Sequence, residues 1–345
     1  MELLDLIGEY QRYLKQNNVL LDSEGFPLMR REWYLEIPDN DEWPKLIIPF
    51  RDRKSSLVLD PSHTVLCFYC ADNRIYPRLE QVLIELDEYR QFMGVIGADV
   101  TITEDMDIEC QQATILLNQL FGAVLAVNGI KIVQNLRIGL PSTLRCLLNV
   151  PEDIMCASGT LGCELTEDSD YSYAVKLHTL KPSRVMLYGR YDTVMEQQLN
   201  AAGVPHRWYK DAHTLYKQQK RAITKIQQVI KQRRENLDED NVMLDKAWHD
   251  MVEACAQNIS ATVAFITNEC SVDDMNYLSE VFDELIYQAQ SPELVSAIAK
   301  ASFQYPDSDK QYFLKVLSES VSDCGNLAVQ SAYCKAKENR KALSN

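Results

Sequence analysis

The chain has 345 residues, with 35 Lys plus Arg against 50 Asp plus Glu and a formal net charge of −15. Apolar residues make up 46% and charged residues 25%, proportions that exclude collagen-like and wholly disordered chains. The length suits two domains, or one large domain with an appendage, and is ample for a hydrophobic core without staples.

No run of about 18 apolar residues is present, so no transmembrane helix is expected. Acidic residues at the N-terminus, Met1-Glu-Leu-Leu-Asp-Leu-Ile, occupy the place where a secretion signal carries basic ones. Most of the ten cysteines lie inside apolar runs, where a free thiol behaves as a small hydrophobe. Reduced thiols in a cytoplasmic setting are therefore expected, with no membrane partner. Net acidity repels phosphate and argues against a nucleic-acid binder over the whole surface. The charge is uneven, however: residues 235–345 carry 8 basic and 19 acidic side chains, leaving the rest near balance.

In chain order, residues 1–60 read as an N-terminal helix and irregular entry segment. Leu3, Leu4, Ile7 and Leu14 recur at helical spacing. The Pro- and Trp-containing stretch after them, Trp33 to Pro49, suits a segment draped over a neighbouring domain. From residue 61 to 213, short β-rich runs alternate with helical stretches. The runs are Val65–Tyr69, Gly94–Ala98, Ile130–Gln134, Ile154–Ala157, Arg184–Tyr188 and His206–Tyr209, with Lys45–Phe50 as a further candidate. Between them, Ile108 to Asn128 reads as a long helix stopped at Asn128-Gly129. This alternation predicts an α/β domain with a mainly parallel sheet of βα repeats. Two architectures fit: a short or incomplete β/α barrel, or an open doubly wound sheet. Residues 214–345 read as a C-terminal all-helical domain. Ser271 with Asp274 and Ser308 with Gln311 stand in capping-box register, and Ser291-Pro292 is a cap with proline in the first turn.

In parallel α/β sheets, ligands bind at the carboxyl ends of the strands, where side chains and helix N-termini converge. The residues following the runs are Asp72, Asn73 and Arg74; Asp99, Thr101, Glu104 and Asp105; Asn135 and Arg137; Ser158, Thr160, Gly162 and Cys163; and Gly189, Arg190 and Tyr191. Carboxylates beside a fixed guanidinium can do acid–base work or hold a hydroxylated or anionic ligand. The plain alternative is that such loops are polar in every soluble protein, with Asp and Asn capping the next helix. Cys67 and Cys70 form a C-x-x-C without a second pair at zinc spacing, so no metal site is expected. Ser158 to Gly162 matches no phosphate-loop spacing but has the small residues of an anion nest. Arg207 to Arg234 holds nine basic side chains against Asp211 alone, which fits either a nucleic-acid surface or a solvated helix face answering Glu235 to Asp240.

From about residue 48 to 213 the chain resembles the domain-of-unknown-function 4417 family, which occurs in bacteria, phages and other mobile elements. Gly94-Val-Ile-Gly-Ala-Asp99-Val-Thr101 stands where the family has a strand ending in Pro-Asp-Phe-Ser, keeping the Asp and a hydroxyl. Gln111 and Asn118 look like the family's helix amides, with Gln119 where an Arg is usual. Val133-Gln-Asn135-Leu-Arg137-Ile-Gly139 is similar to its Ile-Pro-Asn-Val-Arg-Trp-Gly, without the Pro and Trp. Tyr188-Gly189 and Asp72 also match family positions, and Ser158 to Gly162 resembles its Ser-Thr-x-Gly stretch with an insertion. The resemblance implies a prokaryotic or phage source and supplies no reaction or cofactor.

Two functions are expected from these residues. In the first, Asp99 is a general base or ligand clamp, Arg137 holds an anion or orients Asp99, and Asp72 is a second carboxylate. Thr101, Asn135, Ser158, Thr160 and Gly189 complete the pocket for a small polar ligand, with the cofactor left open. In the second, the chain is a non-catalytic interaction protein that binds a partner protein through the helical tail, or nucleic acid through residues 207–234.

Overall fold

The computed structural model describes residues 2–38, 43–161, 167, 172–235 and 241–343. Gly162, Cys163 and the acidic run after Glu235 lie outside the described residues. The chain divides into two compact units, residues 1–54 with 60–212, and residues 55–59 with 213–345.

The first unit is built on seven parallel strands: β1 Leu46–Pro49, β2 Thr64–Cys67, β3 Gly94–Ile96, β4 Ile132–Asn135, β5 Met155–Gly159, β6 Arg184–Tyr188 and β7 His206–Tyr209. Their order in the sheet is their order in the chain. A doubly wound sheet requires that order to reverse at a switch point. No reversal occurs, so the doubly wound alternative is excluded and the sheet is nearly barrel-shaped. Pairing is in parallel register throughout, for example Ile47 with Val65, Val95 with Ile132, and Ala157 with Met186.

Curling is visible in two contacts. Tyr69, just past β2, stacks on Tyr188 of β6 with ring centroids 5.5 Å apart. Strands four apart in a flat sheet would lie about 19 Å from one another at the usual ~4.8 Å spacing. The Tyr209 hydroxyl at the end of β7 donates to the Pro44 carbonyl ahead of β1 at 2.9 Å, tying the two outer strands together. Side chains from all seven strands meet in one interior cluster that includes Ile47, Val65, Cys67, Ile96, Val133, Met155, Met186 and Tyr209. Alternation along β2 and beyond explains the set: Val65, Cys67 and Tyr69 point inward and Leu66 and Phe68 outward.

The entry segment does more than drape. Leu35 and Ile37 belong to the interior cluster, and Leu35 N donates to Ile132 O at 2.8 Å beside the start of β4. The helix α1, Leu3–Gln16, buries Leu6, Ile7, Tyr10 and Leu14, whereas Leu4 is exposed. The burial stripe is thus turned from the expected one, and it includes Tyr10, whose hydroxyl donates to the Leu79 carbonyl at 2.6 Å.

Around the sheet lie α2 Asp72–Gln81, α3 Leu86–Tyr89, α4 Ile108–Val127, α5 Ser172–Leu180 and α6 Thr193–Ala201. By length and composition α4 could cross a membrane, but it is mostly buried and packs against α1 as a core helix. Its end follows the expected stop: Asn128 is the cap residue and Gly129 takes a φ of +80° that disfavours side chains with a Cβ. The described cysteines are free thiols.

The helix α7, Ala212–Glu235, leads into the second unit, which continues with α8 Asn241–Ala256, α9 Ile259–Asn268, α10 Val272–Ser279, α11 Phe282–Ala289, α12 Pro292–Ser302, α13 Asp307–Cys324 and α14 Leu327–Leu343. They share one apolar core around Met251, Phe265, Phe282, Leu294, Phe313 and Leu317. Ser271 and Asp274 form the expected capping box, and the Ser291 hydroxyl caps α12. The 308–311 capping box does not form. Pro306 is the cap of α13, which starts the helix before Ser308 and leaves that serine inside the first turn.

The hydrogen bond that links the two outer strands contributes measurably to stability. Tyr209→Phe is expected to lower stability by about 1 kcal/mol, read as a lower urea midpoint with an unchanged m-value.

Candidate functional site

The carboxyl end of β4 is the centre of the mouth. Asn135, its last residue, is buried and makes contacts in three directions. Its Nδ2 donates to Asp99 Oδ1 at 2.8 Å and to the Ala98 carbonyl at 3.3 Å, and its Oδ1 accepts from the Tyr69 hydroxyl at 3.2 Å. Burial raises the Tyr69 phenol well above its ordinary range, with Asp99 adding to the effect, so this hydroxyl is a donor. That orientation turns the amide nitrogen toward the acceptors Asp99 and Ala98.

Arg137, two residues on, brings its Nε to 3.9 Å from Asp99 Oδ1 and donates through Nη2 to the Ile102 carbonyl at 3.3 Å. Asp99 therefore stands between an amide and a guanidinium, with its side chain only 18% exposed. Burial raises its carboxyl above the usual range; Arg137 and the Asn135 hydrogen bond oppose the rise, and Asp72 adds to it.

The loop that carries Asp99 is braced from two sides. Asp72, in the first turn of α2, accepts from the Thr101 amide at 3.1 Å and its hydroxyl at 2.9 Å. Asn118 on α4 accepts from the Val100 amide at 3.3 Å. The loop after β4 is held likewise by Gln111, which accepts from Leu140 N at 2.8 Å and donates to Met106 O at 2.8 Å. Gly139 allows that approach, since a Cβ there would lie 2.0 Å from Gln111 Oε1.

A cavity of about 410 Å³ opens over these groups. Asp99, Asn135, Arg137, Ser158 and Thr160 all line it, so five of the sequence-derived residues share one space. Asp72, Thr101 and Gly189 are not part of its described lining: Asp72 and Thr101 bond each other beside the loop. Gly189 lies behind Thr160, whose hydroxyl would be 2.7 Å from a Cβ there, and its φ is +115°. Thr160 itself donates to Arg190 O at 2.9 Å and Tyr188 O at 3.3 Å, which fixes the loops after β5 and β6 to each other. Glu104 lines the cavity as well.

Tyr69, Tyr173, Lys176 and Asp192 are not among the residues expected from the sequence. Tyr69 was legible from the inward alternation that begins at Val65. Tyr173 and Lys176 come from α5, and Asp192 caps α6 by accepting from Val194 N and Met195 N, both at 3.0 Å. No local pattern marks these three as facing a cavity. Lys176 lies 5.6 Å from the centre of the Tyr173 ring and adds a second cation to the rim.

Outside the mouth, Cys67 and Cys70 are packed thiols, both pushed up by burial. The basic helix spends part of its charge inside the helical unit: Arg233 pairs with Glu280 at 2.9 Å, Arg234 with Asp274 at 2.9 Å, and Lys225 approaches Glu253 at 3.9 Å.

A family model described as a domain of unknown function, DUF4417, matches residues 30–205. The chain belongs to that family. The match spans every described residue lining the cavity and reaches upstream of the earlier resemblance, taking in Leu35, Ile37 and β1. No curated protein and no solved structure matches the chain.

Asn135→Ala strips partners from the Tyr69 hydroxyl and Asp99 together, and is expected to destabilise the fold by about 1–3 kcal/mol in chemical denaturation. A second expectation concerns pH. Because the folded carboxyl of Asp99 is raised, ionising it is harder in the folded chain than in the unfolded one. Its contribution to stability is whole below the unfolded value and is lost as pH rises through the folded one. The melting temperature of Asp99→Asn minus that of the wild type should therefore grow as the pH rises above about 4.

Proposed function

We propose that the chain binds a small, polar, hydroxylated ligand at the carboxyl ends of its strands, with Asp99 as the group that accepts a ligand hydroxyl proton or clamps that hydroxyl. The observation that carries this reading is the Asp99–Asn135–Arg137 cluster on the wall of one cavity of about 410 Å³, a size suited to a small molecule. A carboxylate raised by burial is a better proton acceptor than a solvated one, and the neighbouring guanidinium opposes that rise by favouring the ionised form. Asn135 holds the orientation of Asp99, and Arg137 with Lys176 faces any anionic portion of the ligand. The Ser158 side chain offers a hydrogen bond. Asp72, Thr101, Thr160 and Gly189 act on this reading as positioning residues that hold the loops carrying the others.

Free buried thiols such as Cys67 and Cys156 suit a reducing cytoplasm, which is the setting we propose, in a bacterium or a mobile element of one. The pairing of Arg233, Arg234 and Lys225 with acids of their own unit lowers the charge available for phosphate contacts, and favours the pocket over the helical surface as the working part.

The test is ligand-observed NMR on the full chain with a panel of nucleosides, monosaccharides and polyols. At least one member is expected to bind, and its affinity should fall about tenfold or more in Asp99→Asn and in Arg137→Gln. A panel without a binder, or binders indifferent to both substitutions, overturns the reading.

A further inference from the structure

A second cavity, of about 370 Å³, lies at the ends of β1 and β2. Its described lining has no residue in common with the cavity over Asp99. Four arginines line it, Arg51, Arg53, Arg74 and Arg78, together with the rings of Phe50 and Phe68, and no carboxylate is among its described lining residues. Local structure explains the convergence. Arg51 and Arg53 follow directly from β1, the first within the short helical turn Phe50–Asp52. Arg74 and Arg78 are four apart on α2, so they share a face.

Like charges gather only when something holds them. The Arg53 guanidinium lies 4.1 Å from the centre of the Phe50 ring and donates to Glu88 at 2.5 Å. Arg78 bonds Glu85, and Arg51 pairs with Asp52 at 2.9 Å. These three carboxylates belong to none of the cavity's described lining, so they steady the cations without filling the space. Arg74 has no ion-pair partner among the described residues, and its charge is left over. A guanidinium has five N–H donors. Arg53 uses Nε on Glu88 and Nη1 on the Phe50 carbonyl, and its side chain is 19% exposed, so its remaining donors are held in a fixed direction. In a chain of net charge −15, four guanidiniums around one space are a built feature rather than a product of composition.

We infer that this cavity is an anion site that takes a phosphate-type oxyanion. Four guanidiniums on one cavity, one of them without an ion-pair partner among the described residues, can donate to several oxygens of a tetrahedral oxyanion, whereas a planar carboxylate is satisfied by one bidentate arginine. The inference does not depend on the reading of the Asp99 cavity.

The experiment is calorimetric titration of the full chain with inorganic phosphate and, separately, with glycerol 3-phosphate, at ionic strength matched with chloride. Saturable binding is expected with Kd of about 1 mM or tighter. Arg74→Ala and Arg51→Ala should each weaken it about tenfold, while Lys15→Ala, exposed on α1 and outside both cavities, should leave it unchanged. Tighter binding of the ester assigns the site to the phosphate of an organic molecule, and tighter binding of the inorganic ion assigns it to the free anion; both support the site. Absence of saturable binding, or indifference to both arginine substitutions, overturns it. So does loss of binding in Lys15→Ala alone. Arg51 and Arg74 are exposed, so their alanine variants are expected to keep the fold, and they place the anion in this cavity or exclude it.

Discussion

A parallel sheet laid down in chain order sends every crossover the same way. With right-handed connections, all the helices then fall on one face, and the other face has nothing to cover it but itself. Curling is the way to bury it. The residues Val65, Cys67 and Tyr69 from one side and Met186, Tyr188 and Tyr209 from the other therefore share a single core, and Leu35 and Ile37 of the entry segment complete it. With seven strands, β1 and β7 share no ladder in the described sheet, and the Tyr209–Pro44 hydrogen bond links their ends instead.

Closure of this kind gathers the carboxyl ends of the strands around one mouth. Loops that are far apart in sequence must then share a small space, and each must be held against its neighbours. Side-chain amides do this holding. Asn135 links β2, β3 and β4 at once, through Tyr69, Asp99 and Ala98. Asn118 and Gln111 on α4 reach the loops after β3 and β4 from behind. An amide suits the task because it donates and accepts together, and so satisfies a carboxylate on one side and a phenol on the other. Direct pairing of β1 with β2 sets their ends beside each other, where arginines from a short turn and from α2 converge.

Much of this was legible along the chain. Each strand was marked by a β-rich run, Lys45–Phe50 included, and each run was followed by its polar residues. Asp99, Asn135 and Arg137 could be chosen because a carboxylate, an amide and a guanidinium stood at the ends of apolar runs. Tyr69 was recoverable from alternation alone. Other features were hidden. Lys176, Tyr173 and Asp192 sit on or before helices whose facing depends on how those helices pack, and Pro306 displaced a cap that the Ser308–Gln311 spacing had suggested. The arginines at 51, 53, 74 and 78 lie in two short stretches on either side of β2, and nothing local tells that their side chains meet.

The sequence by itself determined the alternation of strand and helix, the polar character of the strand ends and the helical nature of the last third, because these follow from local periodicity and capping. It left open whether the sheet would curl or lie flat. Only the tertiary structure decided that, since strand order and interior packing arise from contacts between residues far apart in the chain. With that choice came the placing of Asp72 and Thr101 beside the cavity rather than in it, and the meeting of Asp99 with Asn135 and Arg137. Side-chain convergence across a closed mouth is a property of three-dimensional register, which no local pattern encodes.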